Sequence, residues 1–382
     1  MIFKIKKRVA SHLVNTKGWN TGRKIVVFES DDWGSIRIPS KEVYHALLRA
    51  GIPVDRSPYC RLDTLASESD LQALFEVLTG VKDKNENPAV LTANAVVANP
   101  DFDRIRESEF QTFYDESIAE TFRRYPNHAN CLDLWREGNR AGVFHPQSHG
   151  KLHLNVLYWL SLLQAGNETF KTAFNHQCWG LSSDVFPNVD RSIQASFDHT
   201  DIESLNFSKD SLRTGLEQFQ ELFGYKSRSF IASNYIWSCE LNSVLREEGV
   251  RYLQGMKYQK IPQQNGSNRE MIRRYLGERN KDGQLYLIRN CTFEPSLDRD
   301  SSSIVVECMK SISTAFLWKK PAIITSHRLN FVGGLDTENR DRNLLLFREL
   351  LKKITTKWPE VEFMTSDQLG NVIVEDLYGD EL

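Results

Sequence analysis

The chain has 382 residues, of which 48 are basic and 50 acidic, for a formal net charge of −2. A balance this close to neutral excludes a global electrostatic grip on nucleic acid, and the length accommodates either two average domains or one large α/β barrel. Hydrophobic residues make up 40% and aromatics 11%, including 8 Trp, so the chain can bury a core and still line a sugar cleft with rings.

The six cysteines are spread along the chain with no CxxC pair, so neither a zinc ribbon nor a disulfide framework is signalled, and a reduced compartment is expected. The opening "MIFKIKKRVASHLVN" has a basic start but lacks the apolar stretch and small-residue cleavage site of a secretory signal. It reads as a frayed tail or short docking helix. No window reaches the roughly 18 apolar residues of a membrane span, and a cytoplasmic location is the expectation.

Short β-branched runs alternate with segments of helical period, the pattern of βα units on a parallel sheet. "KIVVF" opens the series as a strand. The helix "SKEVYHALLRAG" follows, with Ser40 as N-cap and Gly51 as stop. Next come the helix "SESDLQALFEVLTG", with Ser67 and Asp70 at capping-box spacing, and the strand "PAVLTANAVVA". "RAGVFHPQSHG" is the third strand. The helix "SKDSLRTGLEQFQELFG" puts Leu212, Leu216, Phe219 and Phe223 on one face and ends at Gly224. Then follow the strand "SRSFIAS", the helix "SCELNSVLREEG", and the strands "VRYLQG", "QLYLIRN" and "PAIITSH". The helix "TENRDRNLLLFRELLKKI" and the strand "VEFMT" close the series.

With no Gly/Ser-rich linker to divide these units, the expected architecture is a single α/β domain. It is a distorted (β/α) barrel of about seven parallel strands over residues 22–375, with an N-terminal extension (1–21) and a C-terminal tail (376–382). Two connections, near 101–139 and 166–206, exceed the usual length; the second is aromatic-rich, which favours a lid or binding surface over disorder.

The chemistry collects at the strand ends. Asp31 and Asp32 follow the first strand, Asn94 lies in the second, and His149 and His153 follow the third. Ser233 and Asn234, then Asn290 and His327, close later strands. In a parallel barrel these ends share one face, so the residues should converge in one cleft. "FHPQSHGKLHLN" carries His145, His149 and His153 four apart. That spacing places two imidazoles on one helical face or on one side of a tight turn, within reach of one divalent ion, and it permits either neighbouring pair. Two histidines and a carboxylate such as Asp32 would leave metal positions open. Two adjacent carboxylates repel unless a cation intervenes; a metal on Asp32 would leave Asp31 free to act as a base. His327, ending an apolar strand, has the chemistry of a general acid.

Taken in order, "FESDDWGS", "SHGKLH", "SFIASNYIWS" and "ITSH" resemble the motifs of the polysaccharide deacetylases, the NodB-type carbohydrate esterases, over roughly Arg23 to Leu369. The resemblance implies Asp31 as catalytic base, Asp32, His149 and His153 as metal ligands and His327 as general acid. His145 then becomes a pocket residue or a support behind the ligands. It implies a divalent metal, zinc first, with cobalt, nickel or iron as alternatives, and a carbohydrate substrate.

Trp33, Tyr235 and Trp237 are candidates to stack on sugar rings, and Asn234, Asn290 and His145 to line the pocket. A backbone N–H near Asn234 or Tyr235 would hold the oxyanion. The chain departs from the family pattern in two places. Trp33 follows the second Asp where the family has Gly. Ile231, Ala232 and Ser233 replace Arg-Pro-Pro, so the Arg that orients the base is missing, with Arg228, Arg273 or Arg289 as possible substitutes. Two other readings stand beside the deacetylase: a glycoside hydrolase pairing Asp31 with Glu294, and a non-catalytic glycan-binding barrel.

Overall fold

A computed structural model describes residues 9–186, 191–262, 269–297 and 303–379. The basic opening of residues 1–8 and the last three residues of the expected tail lie outside them. Among these described residues nine strands form one sheet: β1 (Lys24–Trp33), β2 (Leu91–Ala95), β3 (Phe144–Ser148), β4 (Ser229–Phe230), β5 (Tyr252–Gly255), β6 (Leu285–Ile288), β7 (Cys291–Thr292), β8 (Ala322–His327) and β9 (Val361–Phe363). Every strand foreseen in the sequence is among them, and all pairings in this sheet are parallel.

The pairing path runs β6-β5-β4-β3-β2-β1-β8-β7, with β9 beside the start of β1. Its two ends are one continuous piece of chain. After β6, the Arg289 N–H donates to Gly255 O at 2.9 Å on the β5 side, and the Asn290 N–H donates to Ile323 O at 3.1 Å in β8. The β6–β7 segment is therefore a single stave that leans on β5 with its first half and on β8 with its second. This curls the sheet into the expected distorted (β/α) barrel, whose staves are β1, β2, β3, β4, β5, β6–β7 and β8. It is loosest at β3–β4, where one residue pair, Ser148 with Phe230, is in register.

Local chemistry explains the helices. Ser40 accepts from Val43 N at the start of Lys41–Arg49, and Gly51, at φ 80°, follows its end in the left-handed region. Ser67 and Asp70 make the reciprocal capping box of Glu68–Thr79. The helix expected from Ser208 begins earlier, at Ile202, because Asp201 and Ser204 form a capping box that the hydrophobic periodicity did not reveal; it ends at Gly224 as read. The segment 101–139 is built mostly of short helices, with a strand, Asp115–Ser117, that pairs antiparallel with Ala98–Pro100 just before it. Residues 166–186 and 191–206 contain the helix Glu168–Asn175 and then fold over the mouth of the barrel.

On β1, Ile25 and Val27 pack inward with Leu285, Leu287 and Ile323, while Val26 and Phe28 face the helices outside. Both faces are apolar, as a doubly covered parallel strand requires. Above this plug the interior turns polar. Gln147 accepts the Ser229 N–H at 2.7 Å, and the Asn94 and Gln254 amides bond reciprocally at 2.8 and 3.0 Å. Among the described residues, no helix is long and apolar enough to cross a membrane.

Candidate metal centre and cleft

The site begins with an irregularity in β1. Ser30 pairs with Ala93 and Trp33 with Ala95, so three steps on β1 match two on β2, and Asp32 takes φ 75°. This is a β-bulge. In an unbroken strand Asp31 and Asp32 would face opposite sides and Trp33 would point inward. The extra residue returns Trp33 to the outer face, where it is buried edge-on to Trp135 and Phe144 and its Nε1–H donates to Ser30 Oγ at 3.0 Å. Both carboxylates are thereby left in the wall of one cleft.

That cleft, a cavity of about 420 Å³, includes Asp31, Asp32, His149, His153, Asn234, Tyr235 and His327 in its lining. Asp32 Oδ1 lies 3.1 Å from His153 Nε2 and 3.5 Å from His149 Nε2. The His149 Nδ1–H donates to Ile231 O at 2.8 Å, which leaves Nε2 as a lone pair facing the carboxylate, without a hydrogen-bond partner among the described residues. Two buried acceptors face to face call for a cation between them, and a backbone carbonyl on the far ring nitrogen is the usual support of a metal-ligating histidine. Asp32, His149 and His153 are all buried and offer ligand atoms within 4.8 Å of one another, so the donor set fits a divalent ion. Burial opposes ionisation of Asp32, but His153 and the Arg37 guanidinium outweigh it and hold the carboxyl well below its ordinary range. Burial lowers His153, favouring the neutral ring that a metal needs.

The histidine spacing resolves for a steric reason. His145 lies on β3 itself, where four residues span about 13 Å, so it cannot meet His149. Between His149 and His153 the chain turns at Gly150, φ 90°, packed so closely on the Phe197 ring that a Cβ there would clash.

Asp31 is held differently. Arg289 grips it with both Nη atoms at 2.6 Å, and Asn94 Nδ2 donates to Oδ1 at 2.8 Å. Burial would raise its pKa, but the guanidinium overcomes this and keeps the group below the usual carboxylate value. Of the three substitutes for the missing motif Arg, Arg289 is the one in contact. Its Nε donates to buried Glu29 at 2.6 Å and its Nη1 to Thr325 Oγ1 at 2.9 Å.

His327 is the in-register neighbour of Asp31 on β8, with Nε2 at 3.9 Å from Asp31 Oδ2. Its Nδ1 is 2.6 Å from Glu294, whose other oxygen accepts from Asn330 Nδ2 at 2.7 Å. Burial would lower the imidazole, but Glu294 outweighs it and raises the pKa to about 9. Asn234 and Tyr235 are consecutive residues at φ 55° and 59°, a costly conformation for non-glycine residues that aims them into the cleft. Burial raises the Tyr235 phenol to about 12, so it stays a donor. Its backbone N–H is already spent on Ala232 O at 3.0 Å and cannot hold an oxyanion.

Four residues expected at the substrate lie elsewhere. Trp33 is core, for the reason given above. Trp237 is buried against Phe230, Leu253 and Ile288, with its Nε1–H on Asn242. Asn290 ties the barrel to the N-terminal segment through Asn15 Oδ1 at 2.8 Å and Pro321 O at 2.9 Å. His145 pairs with Asn139 and Asp367 beside a separate cavity of about 590 Å³.

Sequence reasoning missed Arg37, Tyr59, Ser192, Gln194 and Lys260 in the cleft lining, and the partnership of Glu294 with His327. Of these only Glu294 carried a signal, its place just after a strand. Arg37, Ser192 and Gln194 sit on loops with no periodicity, and Tyr59 and Lys260 on a helix (Pro58–Leu62) and a strand (Tyr258–Lys260) too short to show one. Trp179, from the aromatic-rich segment, stacks on His153 with centroids 6.3 Å apart.

No protein-family model matches the chain, and no curated protein matches it in sequence. Similar solved structures include polysaccharide deacetylases. A Pseudomonas aeruginosa PAO1 protein so named is 9% identical with a TM-score of 0.49, covering 94% of each chain. One from Mycobacterium smegmatis is 12% identical with a TM-score of 0.48, covering 96% of each chain. A 4-alpha-glucanotransferase from Thermococcus litoralis is 11% identical with a TM-score of 0.45, covering 91% of this chain and 40% of its own. Likenesses at this level say nothing of the activity, and the chemistry has to be read from the side chains.

Proposed function

We propose that this chain is a metal-dependent hydrolase that removes the acetyl group from an N-acetylated sugar or polysaccharide. The observation that carries the reading is the buried His149 Nε2 facing Asp32 Oδ1 at 3.5 Å, beside His153 and across the cleft from an Arg-held carboxylate and a Glu-held imidazole.

Asp32, His149 and His153 would hold the divalent ion, with zinc the first choice, which when bound supplies Lewis acidity toward water and an amide carbonyl. Asp31, kept ionised by Arg289 and Asn94, takes a proton from the attacking water. His327, protonated up to about pH 9 by its contact with Glu294, gives its proton to the departing amine nitrogen as the C–N bond breaks, and acetate is left. Asn234 and Tyr235 would orient the sugar.

The glycosidase reading needs Glu294 as a free carboxylate opposite Asp31. Glu294 is instead outside the cleft lining that includes Asp31, turned to His327 and Asn330, which favours the amide reading. The binding-module reading was motivated by a missing motif Arg, and Arg289 occupies that role.

Metal analysis of the purified protein, followed by acetate release from N-acetylated oligosaccharides, tests the proposal. About one divalent ion per chain is expected in the wild type and none in a His149→Ala/His153→Ala variant. Full metal retention by the double variant would sink the assignment.

A further inference from the structure

We infer that Arg37 is a positioning residue for the metal centre: it caps the second oxygen of Asp32, so that the carboxylate presents Oδ1 alone to an ion shared with His149 and His153. The inference rests on the metal reading above. Arg37 Nη2 lies 3.2 Å from Asp32 Oδ2, whereas both histidines face Oδ1. Its Nε lies 3.0 Å from Asp63 Oδ2, and Asp63 Oδ1 is held in turn by Arg328 through Nε at 3.0 Å and Nη2 at 2.8 Å. Asp32, Arg37, Asp63 and Arg328 thus form an alternating row of charges, and all four are buried.

The row is locked in place. The Arg37 guanidinium sits 5.0 Å from the Tyr59 ring centroid, and Gly180 lies so close that a Cβ there would overlap Arg37 Cγ. Arg37 borders the cleft, but its Nη2 and Nε are turned to Asp32 and Asp63, so its action passes through Asp32.

A carboxylate has lone pairs on both oxygens and can chelate an ion with the pair. A cation fixed on one oxygen prevents that and opposes the ion's own charge. The consequence is a weaker but more open site, with coordination positions left for water and substrate. The sign separates this role from simple buttressing: loss of a support loosens metal, whereas loss of a charge cap tightens it.

The test uses the full chain, stripped with chelator and titrated with zinc in competition with a chromophoric chelator, and separately loaded with cobalt for its visible spectrum. Arg37→Gln should bind zinc about tenfold more tightly, change the cobalt spectrum and lose turnover, while Arg37→Lys stays close to wild type. Asp63→Asn, which frees Arg37 to bear harder on Asp32, should bind zinc more weakly.

Equal or weaker zinc binding by Arg37→Gln with an unchanged cobalt spectrum would overturn the inference. If circular dichroism finds that variant unfolded, Asp63→Asn decides, and unchanged or tighter binding overturns it. A wild type that takes up no metal overturns this inference and the metal reading together. Uptake by the wild type with both variants unmoved overturns this inference alone.

Discussion

Asp31 and Asp32 are adjacent on one strand, yet the two halves of the cleft that hold them are built from different material. Asp31 is fixed from the barrel interior, by Arg289 at the end of β6, Asn94 on β2 and, through Arg289, Glu29 and Thr325 on β1 and β8. Asp32 is fixed from loops, by His149 and His153 around the Gly150 turn and by Arg37 backed by Asp63. Strands place the group assigned to move a proton, where tenths of an ångström decide transfer, and loops surround the group assigned to hold an ion. The bulge at Asp32 lets one strand serve both halves.

The largest expected effect comes from removing one carboxylate at a time. Asp31→Asn should lower kcat by about a thousandfold while metal content stays at the wild-type level, because the proposed mechanism makes the lost group a base and not a ligand. Asp32→Asn should lose the metal as well as the activity. Metal analysis beside acetate release distinguishes the two, and equal metal content in both variants would break the division of labour.

Next in size is the cation on the strand side. Arg289→Lys keeps the charge but not the two-pronged grip. The guanidinium holds Asp31 below its ordinary pKa against burial, so the variant's acidic limb in a pH profile of kcat/KM should move upward, with a fall in kcat of about tenfold to a hundredfold. An unmoved limb would mean that Arg289 is only structural. Asp31 also contributes stability that is present above its unfolded pKa and lost as pH falls through the lower folded one, so acid unfolding should begin at higher pH in the variant.

These contrasts map onto what was legible in the sequence. Strand ends are visible because hydrophobic runs stop there, which is why Asp31, Asp32, His149 and His327 stood out, and why all the barrel's main strands were found. Arg289 was visible only as one of three possibilities, since nothing in a linear sequence says that β6 lies across the barrel from β1. The loop half was nearly opaque. Arg37, Asp63 and Gly180 gain their meaning from contacts with one another and with Arg328 that span 26 to 265 positions, and no period marks them. Trp237 and Asn290 were misplaced because proximity to a strand end does not tell which face a side chain takes.

A smaller effect is expected on the acid side of the reaction. Glu294→Gln removes the charge that lifts His327 to about 9, so the alkaline limb of the pH profile should fall toward the ordinary histidine value of about 6.5. At pH 8 that shift alone leaves roughly thirtyfold less protonated imidazole. The same raised pKa makes His327 a source of stability that is complete below about pH 6.5 and lost as pH rises through about 9. The difference in Tm between wild type and His327→Gln should therefore shrink above pH 9.

The smallest effect tests the bulge. Trp33 looked like a sugar platform in the sequence, and in the fold it is a core residue packed on Trp135 and Phe144, with one hydrogen bond to Ser30. Trp33→Phe keeps a ring edge-on to the same neighbours and gives up that bond and some volume, which should cost about 1–2 kcal/mol of stability. Asp32 keeps its place as long as the bulge does, so metal content and kcat/KM on oligosaccharides should change less than twofold. Trp33→Ala, by contrast, opens a cavity behind the bulge at a cost of about 3–5 kcal/mol and lets the strand relax toward regular pairing. A Trp33→Phe protein of wild-type stability that had lost affinity for longer oligosaccharides would return Trp33 to the substrate; a stability loss with intact kinetics keeps it in the core, where its work is to hold two adjacent carboxylates on one side of a strand.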